Sequence, residues 1–162
     1  MALRECGLRA ADVRAMAGAA GGPKGLALNP LDRFIFGHWL QGSTHTVHLL
    51  GSSIGAWRMA CACTPDPDAA LAALAEDYIA QRYDHAPGRP PKPSHVSAVF
   101  AETLERRLVP QAHQVLAHRT RRLHVFTSRG LGPLARQGRW RTPMGYLGAW
   151  AANAVHRRAM GV

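Results

Sequence analysis

Hydrophobic and polar positions along the chain fall into strand-like and helix-like stretches, separated by turns rich in glycine and proline. Asp12 to Ala17 alternates with the two-residue period of a strand and runs into a Gly/Ala-rich turn over 18–25. Asn29-Pro30 reads as a helix start, with Asn29 as cap, Pro30 in the first turn and Asp32 near the positive end of the helix dipole. That helix would carry Leu31, Phe34, Ile35 and Trp39 inward. Thr44 to Leu50 predicts the next strand. Gly51 to Gly55 then predicts a sharp turn into a helix reaching about Cys63, which Thr64-Pro65 ends. Asp66 to Tyr83 predicts an amphipathic helix with Leu71, Leu74, Tyr78 and Ile79 on its buried side.

Prolines at 87, 90, 91 and 93 forbid helix or central strand and make 85–93 a Pro-rich loop, a connector or a substrate-facing insertion. Beyond it, Ser94 caps a predicted helix over Val96–His118, which Pro110 kinks or divides. Arg122 to Thr127 alternates like a strand, and 144–160 reads as helix. No internal repeat is present. Strands and helices in this order predict an α/β protein with a mainly parallel sheet.

Composition narrows the class. A chain of 162 residues, 47% hydrophobic and 19% charged, suits a globular domain and argues against disorder. With only 7% aromatics, the core must rest on Leu, Val, Ile and Ala. No apolar run approaches the roughly 18 residues of a membrane span. Charges at Arg4, Glu5, Arg9, Asp12 and Arg14 break any secretory signal, so a cytoplasmic location is expected. Cys6, Cys61 and Cys63 cannot all pair and do not form a C-x-x-C, which predicts reduced, buried thiols.

The net charge of +10 is unevenly placed. Residues 1–105 hold 9 Lys/Arg against 10 Asp/Glu, whereas residues 106–162 hold 11 Arg and no acid. Arg119, Arg121, Arg122, Arg136, Arg139, Arg141, Arg157 and Arg158, interspersed with Trp140, Tyr146 and Trp150, read as a basic surface. Such a surface suits phosphate contact and base stacking, or peripheral contact with an anionic membrane. The spacing matches no familiar nucleic-acid module, and the aromatics fall where helix packing would put them. This favours a solvated surface, or an incomplete domain that stops at Val162 just past a helix.

Two motifs carry candidate chemistry. Gly51-Ser52-Ser53-Ile54-Gly55 is a G-x-S-x-G sequence with a predicted strand leading in and a predicted helix leading out. In that context the serine sits on a strained turn with its hydroxyl exposed, and the flanking glycines let strand and helix approach closely. Gly21-Gly22-Pro23-Lys24-Gly25 follows the first strand. It is neither a Walker loop, because Gly25 stands where Ser or Thr would follow the lysine, nor a dinucleotide fingerprint. Its backbone N–H groups, which Pro23 lacks, could serve an anion or an oxyanion hole.

A Gly-Gly-x-Lys-Gly loop after strand one, then helix, strand and a G-x-S-x-G opening a helix, resembles the patatin-like phospholipase family over about residues 12–83. The resemblance implies a three-layer α/β fold with a mainly parallel sheet, here incomplete towards the C-terminus, so that residues 1–162 form a partial acyl hydrolase domain. It implies that Ser53 is the nucleophile of an elbow made with Gly51, Ser52, Ile54 and Gly55. Gly21, Gly22, Lys24 and Gly25 are then the oxyanion loop. The implied substrate is a lipid or small ester, with no metal and no organic cofactor. Ala20 stands where the family usually has another glycine, and Asn29-Pro30 delays the helix after the loop.

The family's Ser–Asp dyad places its aspartate in a downstream Asp-Gly-Gly or Asp-Gly-Ala. Here the last aspartate is Asp84, and none of Asp66, Asp68, Asp77 or Asp84 precedes a glycine. A serine hydroxyl is a poor nucleophile without a base, so a weakly active or inactive chain is expected. His38, His45, His48 and His124 are the alternative bases, but no carboxylate is evidently paired to orient one. The H-x-x-H at 45–48 lies in an extended stretch that sends the two rings to opposite faces, so joint metal ligation is not expected. The alternative function is a non-catalytic scaffold, or a binder of nucleic acid or anionic surfaces.

Overall fold

A computed structural model describes residues 4, 5, 7–85, 88, 90–136, 138 and 140–155. The chain divides into two compact units, 1–126 and 127–162. The first is mixed α and β. Strands β1 (Ala15–Gly18), β2 (Val47–Gly51) and β3 (Arg121–Val125) form a parallel sheet in the order β1-β2-β3. Ala15 pairs with His48 and Gly18 with Gly51, while Val47 pairs with Arg121 and Leu50 with His124.

The helices of this unit are α1 (Asn29–Phe34), α2 (Ile54–Cys61), α3 (Pro67–Ala80), α4 (Pro93–Arg107) and α5 (Ala112–Leu116). Val47 and Leu49 face the helical layer and are buried with Phe36, Leu40, Met59, Cys61, Cys63, Leu71, Leu74, Leu108 and Val115 in one core. The opposite sheet face carries Ala15, Ala17, His48, Arg122 and His124, all exposed. Parallel sheets are usually covered on both faces. Within residues 1–126 this one is covered on a single face, two layers where the family resemblance implies three.

Several sequence expectations need correcting. Asn29 does not cap a helix. A 3-10 turn over Gly22–Leu28 runs directly into α1, whose N-cap is Leu28, and the buried Asn29 side chain instead donates to Leu71 O at 2.8 Å. The chain then continues as a π-helical turn, Ile35–Trp39. The expected inward face is rotated accordingly. Leu31 and Phe34 are exposed, whereas Asp32, Phe36 and Leu40 point in. Asp32 turns inward because its partner lies there; Ile35 and Trp39 pack partly buried against the core as expected, and the wider π turn adds the fully buried Phe36 and Leu40.

On α3, Leu71 and Leu74 are buried as the periodicity predicts, but Ile79 is 76% exposed. Asp66 caps α3 by accepting from Ala69 N at 3.0 Å. The long helix predicted from Val96 is divided at Pro110. Lys92, not Ser94, is its N-cap, and a 3-10 turn over Val109–Gln111 separates α4 from α5. Of the Pro-rich loop, residues 86, 87 and 89 lie outside the described set, and Pro93 already opens α4.

The second unit holds a 3-10 turn, Gly132–Ala135, and α6 (Arg141–Val155). The part of the predicted helix beyond 155, with Arg157 and Arg158, lies outside the described residues, as do Cys6 and Arg139. Trp140, Tyr146 and Trp150 are exposed, contrary to the expectation that helix packing buries them. Arg121 is the other departure from the expected basic surface. It is buried on the helical side of the sheet, donates to Phe36 O at 2.9 Å and to Ala62 O, and stacks over the Phe36 ring. Burial pulls its pKa below the usual arginine value. Among the described residues, no helix is long and apolar enough to cross a membrane.

Candidate functional site

The turn from β2 into α2 is built by close backbone approach. A Cβ on Gly51 would stand 2.6 Å from Ala56 N, and one on Gly55 would stand 2.2 Å from Gly18 O. Glycine at 18, 51 and 55 therefore lets the ends of β1 and β2 meet the first turn of α2. Ser53 sits between them at φ 52° and ψ −134°, the one non-glycine residue with positive φ among those described. This conformation costs an L-residue of order 1–3 kcal/mol and persists only where the surroundings impose it. Hydrogen bonds from Gly55 N to Ser52 O (3.0 Å) and from Ala56 N to Ser53 O (2.9 Å) lock the turn.

The Ser53 side chain is exposed, and among the described residues no group hydrogen bonds to its Oγ. The N–H of Ile54 opens α2, where a helix leaves its donors without internal acceptors. The glycine-rich loop lies against this turn, since a Cβ on Gly25 would meet Ile54 Cγ2 at 2.9 Å. Gly21 (φ 134°) and Gly22 (φ 57°) have backbone angles that favour glycine. In a 3-10 turn each N–H bonds the carbonyl three residues back. With Gly21 as N-cap, the N–H groups of Gly21 and Gly22 therefore lie outside the ladder, whereas those of Lys24 and Gly25 fall within it. Gly25 thus acts through contact with Ile54. The Lys24 side chain is exposed.

A buried ion pair fastens this loop to the turn. Arg58 of α2 grips Asp32 of α1 through two bonds, Nε to Oδ2 at 2.5 Å and Nη2 to Oδ1 at 2.8 Å. Its Nη1 donates to Ala19 O, in the glycine-rich loop, at 3.0 Å. Arg58 and Asp32 side chains are only 4% and 7% exposed. Sequence reasoning gave Asp32 a dipole role and gave Arg58 none. The available signal was one arginine set in the apolar run of Ile54 to Cys61.

Of the four aspartates that follow the turn, three have carboxylates engaged elsewhere. Asp68 pairs with Arg33 at 2.8 Å, Asp77 with Arg107 at 2.8 Å and Arg106 at 3.2 Å, and Asp66 is a helix cap. The Arg107 and Arg106 guanidinium groups hold the Asp77 carboxyl below the usual carboxylate range, and Arg33 does the same to Asp68. Asp84 contributes its backbone N–H to His95 Nε2 at 3.3 Å. The histidines do not reach Ser53 either. His38 is exposed beside Phe34, His45 Nε2 bonds Val13 O at 2.7 Å, and His48 Nδ1 lies 2.8 Å from His124 Nε2. Among the described residues no group of three or more His, Cys, Asp or Glu is arranged to hold a metal ion.

Next to the turn, an apolar groove of about 300 Å³ begins at Ala56 and Trp57 in the first turn of α2. It runs between Leu108, Val115 and Val125, the last of which pairs with Gly51. Its walls are almost entirely hydrocarbon, and it is open to solvent. Comparison with protein-family models, with curated proteins and with solved structures finds no match to this chain.

Proposed function

We propose that this protein is a patatin-like serine acyl hydrolase in which Ser53 is the nucleophile towards a lipid or small ester. The observation that carries the proposal is the strained, exposed Ser53 at a glycine-built strand-to-helix turn. Strain of this kind collects at functional sites, and a G-x-S-x-G turn presents its serine above the sheet edge in the same way. The N–H of Ile54, next to Ser53 in the chain, is the nearest donor for the oxyanion that forms when Oγ attacks a carbonyl, and the free N–H groups of Gly21 and Gly22, in the loop that packs on Ile54 through Gly25, are the further candidates. The apolar groove beginning three residues beyond Ser53 offers hydrocarbon surface to an acyl chain. Attack forms an acyl-enzyme and releases the alcohol, and water then releases the acid.

Among the described residues no base reaches Ser53 Oγ, which makes the proposed reaction slow, since proton removal in the transition state supplies about 10²–10⁴-fold. Incubation with a fluorophosphonate probe tests the assignment. Slow labelling that disappears in Ser53→Ala is expected. A folded chain that labels no faster than Ser53→Ala would instead support the non-catalytic scaffold reading.

A further inference from the structure

We propose that His48 and His124 form a two-histidine site for a divalent transition metal of tetragonal preference, Ni²⁺ or Cu²⁺, on the open face of the sheet. The two rings come from neighbouring parallel strands and from positions 76 residues apart. His48 Nδ1 and His124 Nε2 face each other at 2.8 Å, with ring centroids 5.1 Å apart. At a metal–nitrogen distance of about 2.1 Å, nitrogens so spaced subtend roughly 84° at a shared ion. That is the cis angle of square-planar or octahedral coordination, the preference of Cu²⁺ and Ni²⁺. A tetrahedral ion would require them to move apart to about 3.4 Å.

The surroundings leave the site open. Both imidazoles are exposed, and the residues aligned with them on β1, Ala15 and Ala17, are too small to cover the rings. Arg122 shares this face in register with His48, but its guanidinium is occupied by the carbonyl oxygens of His118 and Arg121. No third protein ligand is present among the described residues, so water completes the shell. In the free protein the facing nitrogens share a proton. An ion would lie to one side of the line between the nitrogens: the donor ring shifts its proton to its other nitrogen, and both exposed rings turn so that their lone pairs converge on it.

The site is independent of the Ser53 proposal, and calorimetric titration of the untagged chain with Ni²⁺ tests it. His48→Ala and His124→Ala should each weaken the tightest binding at least about tenfold. His113→Ala, which alters another exposed histidine, should leave it unchanged. Ni²⁺ should also raise the melting temperature of the wild type and not that of the double variant, because an ion bound only by the paired strands stabilises the folded state. Circular dichroism verifies that the variants are folded. Equal affinity in the wild type and the folded double variant would overturn the proposal, as would an equal loss in His113→Ala.

Discussion

Arg58 and Asp32 form a two-pronged ion pair in the core of the first unit, and the same guanidinium holds Ala19 O. Breaking this pair from one side leaves a buried charge unmatched. Arg58→Met is expected to destabilise the protein by about 3–5 kcal/mol. The double change Arg58→Met with Asp32→Leu should recover most of that loss, because it strands no charge. Urea unfolding of the wild type and the two variants checks both statements. A double variant as weak as the single one would refute the account.

Ser53 carries strain that glycine would not. Ser53→Gly should raise stability by about 1 kcal/mol, while Ser53→Ala, still an L-residue at φ 52°, should change it little. If Ser53 is the proposed nucleophile, both variants should lose fluorophosphonate labelling. The pair separates backbone strain from hydroxyl chemistry, since stability distinguishes the two variants and labelling does not.

The glycine contacts predict a graded series. Gly55→Ala would drive a methyl group into Gly18 O, and backbone cannot yield there as a flexible side chain would. It should cost more than about 3 kcal/mol or prevent folding. Gly51→Ala, against Ala56 N, belongs in the same class. Gly42→Ala, with nothing within 4 Å of the added carbon, should stay within about 0.5 kcal/mol of the wild type. Chemical denaturation midpoints provide the comparison.

His118 gives the fold a pH dependence. Its Nδ1 accepts from Thr120 N at 3.3 Å and Arg121 N at 3.0 Å at the entry to β3. Burial, followed by the charges of Arg121 and Arg122, lowers its pKa from the ordinary 6.5. The folded state therefore favours neutral imidazole. The stability this contributes is fully present above pH 6.5 and is lost as pH falls through the lowered folded value. His118→Gln should flatten the stability profile in that window. A wild-type profile unchanged below pH 6.5 would count against the assignment.

Burial pushes the Cys61 thiol up to about 12 and Cys63 up to about 11. Neither offers thiolate at pH 8, so at most one of the three cysteines should react with a thiol reagent in the native protein. All three should react in guanidinium. Native reactivity of two or more thiols would contradict the burial of this pair.

What the sequence alone determined is local. The glycine spacing of 51–55, the β-rich run before it and the helix formers after it specify a tight strand-to-helix turn, because backbone angles at such a turn depend on neighbours a few residues away. The break at Pro110 and the burial of Leu71 and Leu74 follow from the same short-range rules. The tertiary structure decided every relationship that spans the chain. Asp32 faces inward because Arg58 arrives from another helix, 26 residues on. Arg121 is buried because the carbonyls of Phe36 and Ala62 receive it, although its neighbours Arg119 and Arg122 lie at the surface. His48 and His124 meet because the register of β2 on β3 sets Leu50 beside His124 and so brings His124 diagonally across from His48. Periodicity records which face of an element is apolar, whereas the partner that face meets depends on how distant strands and helices pack.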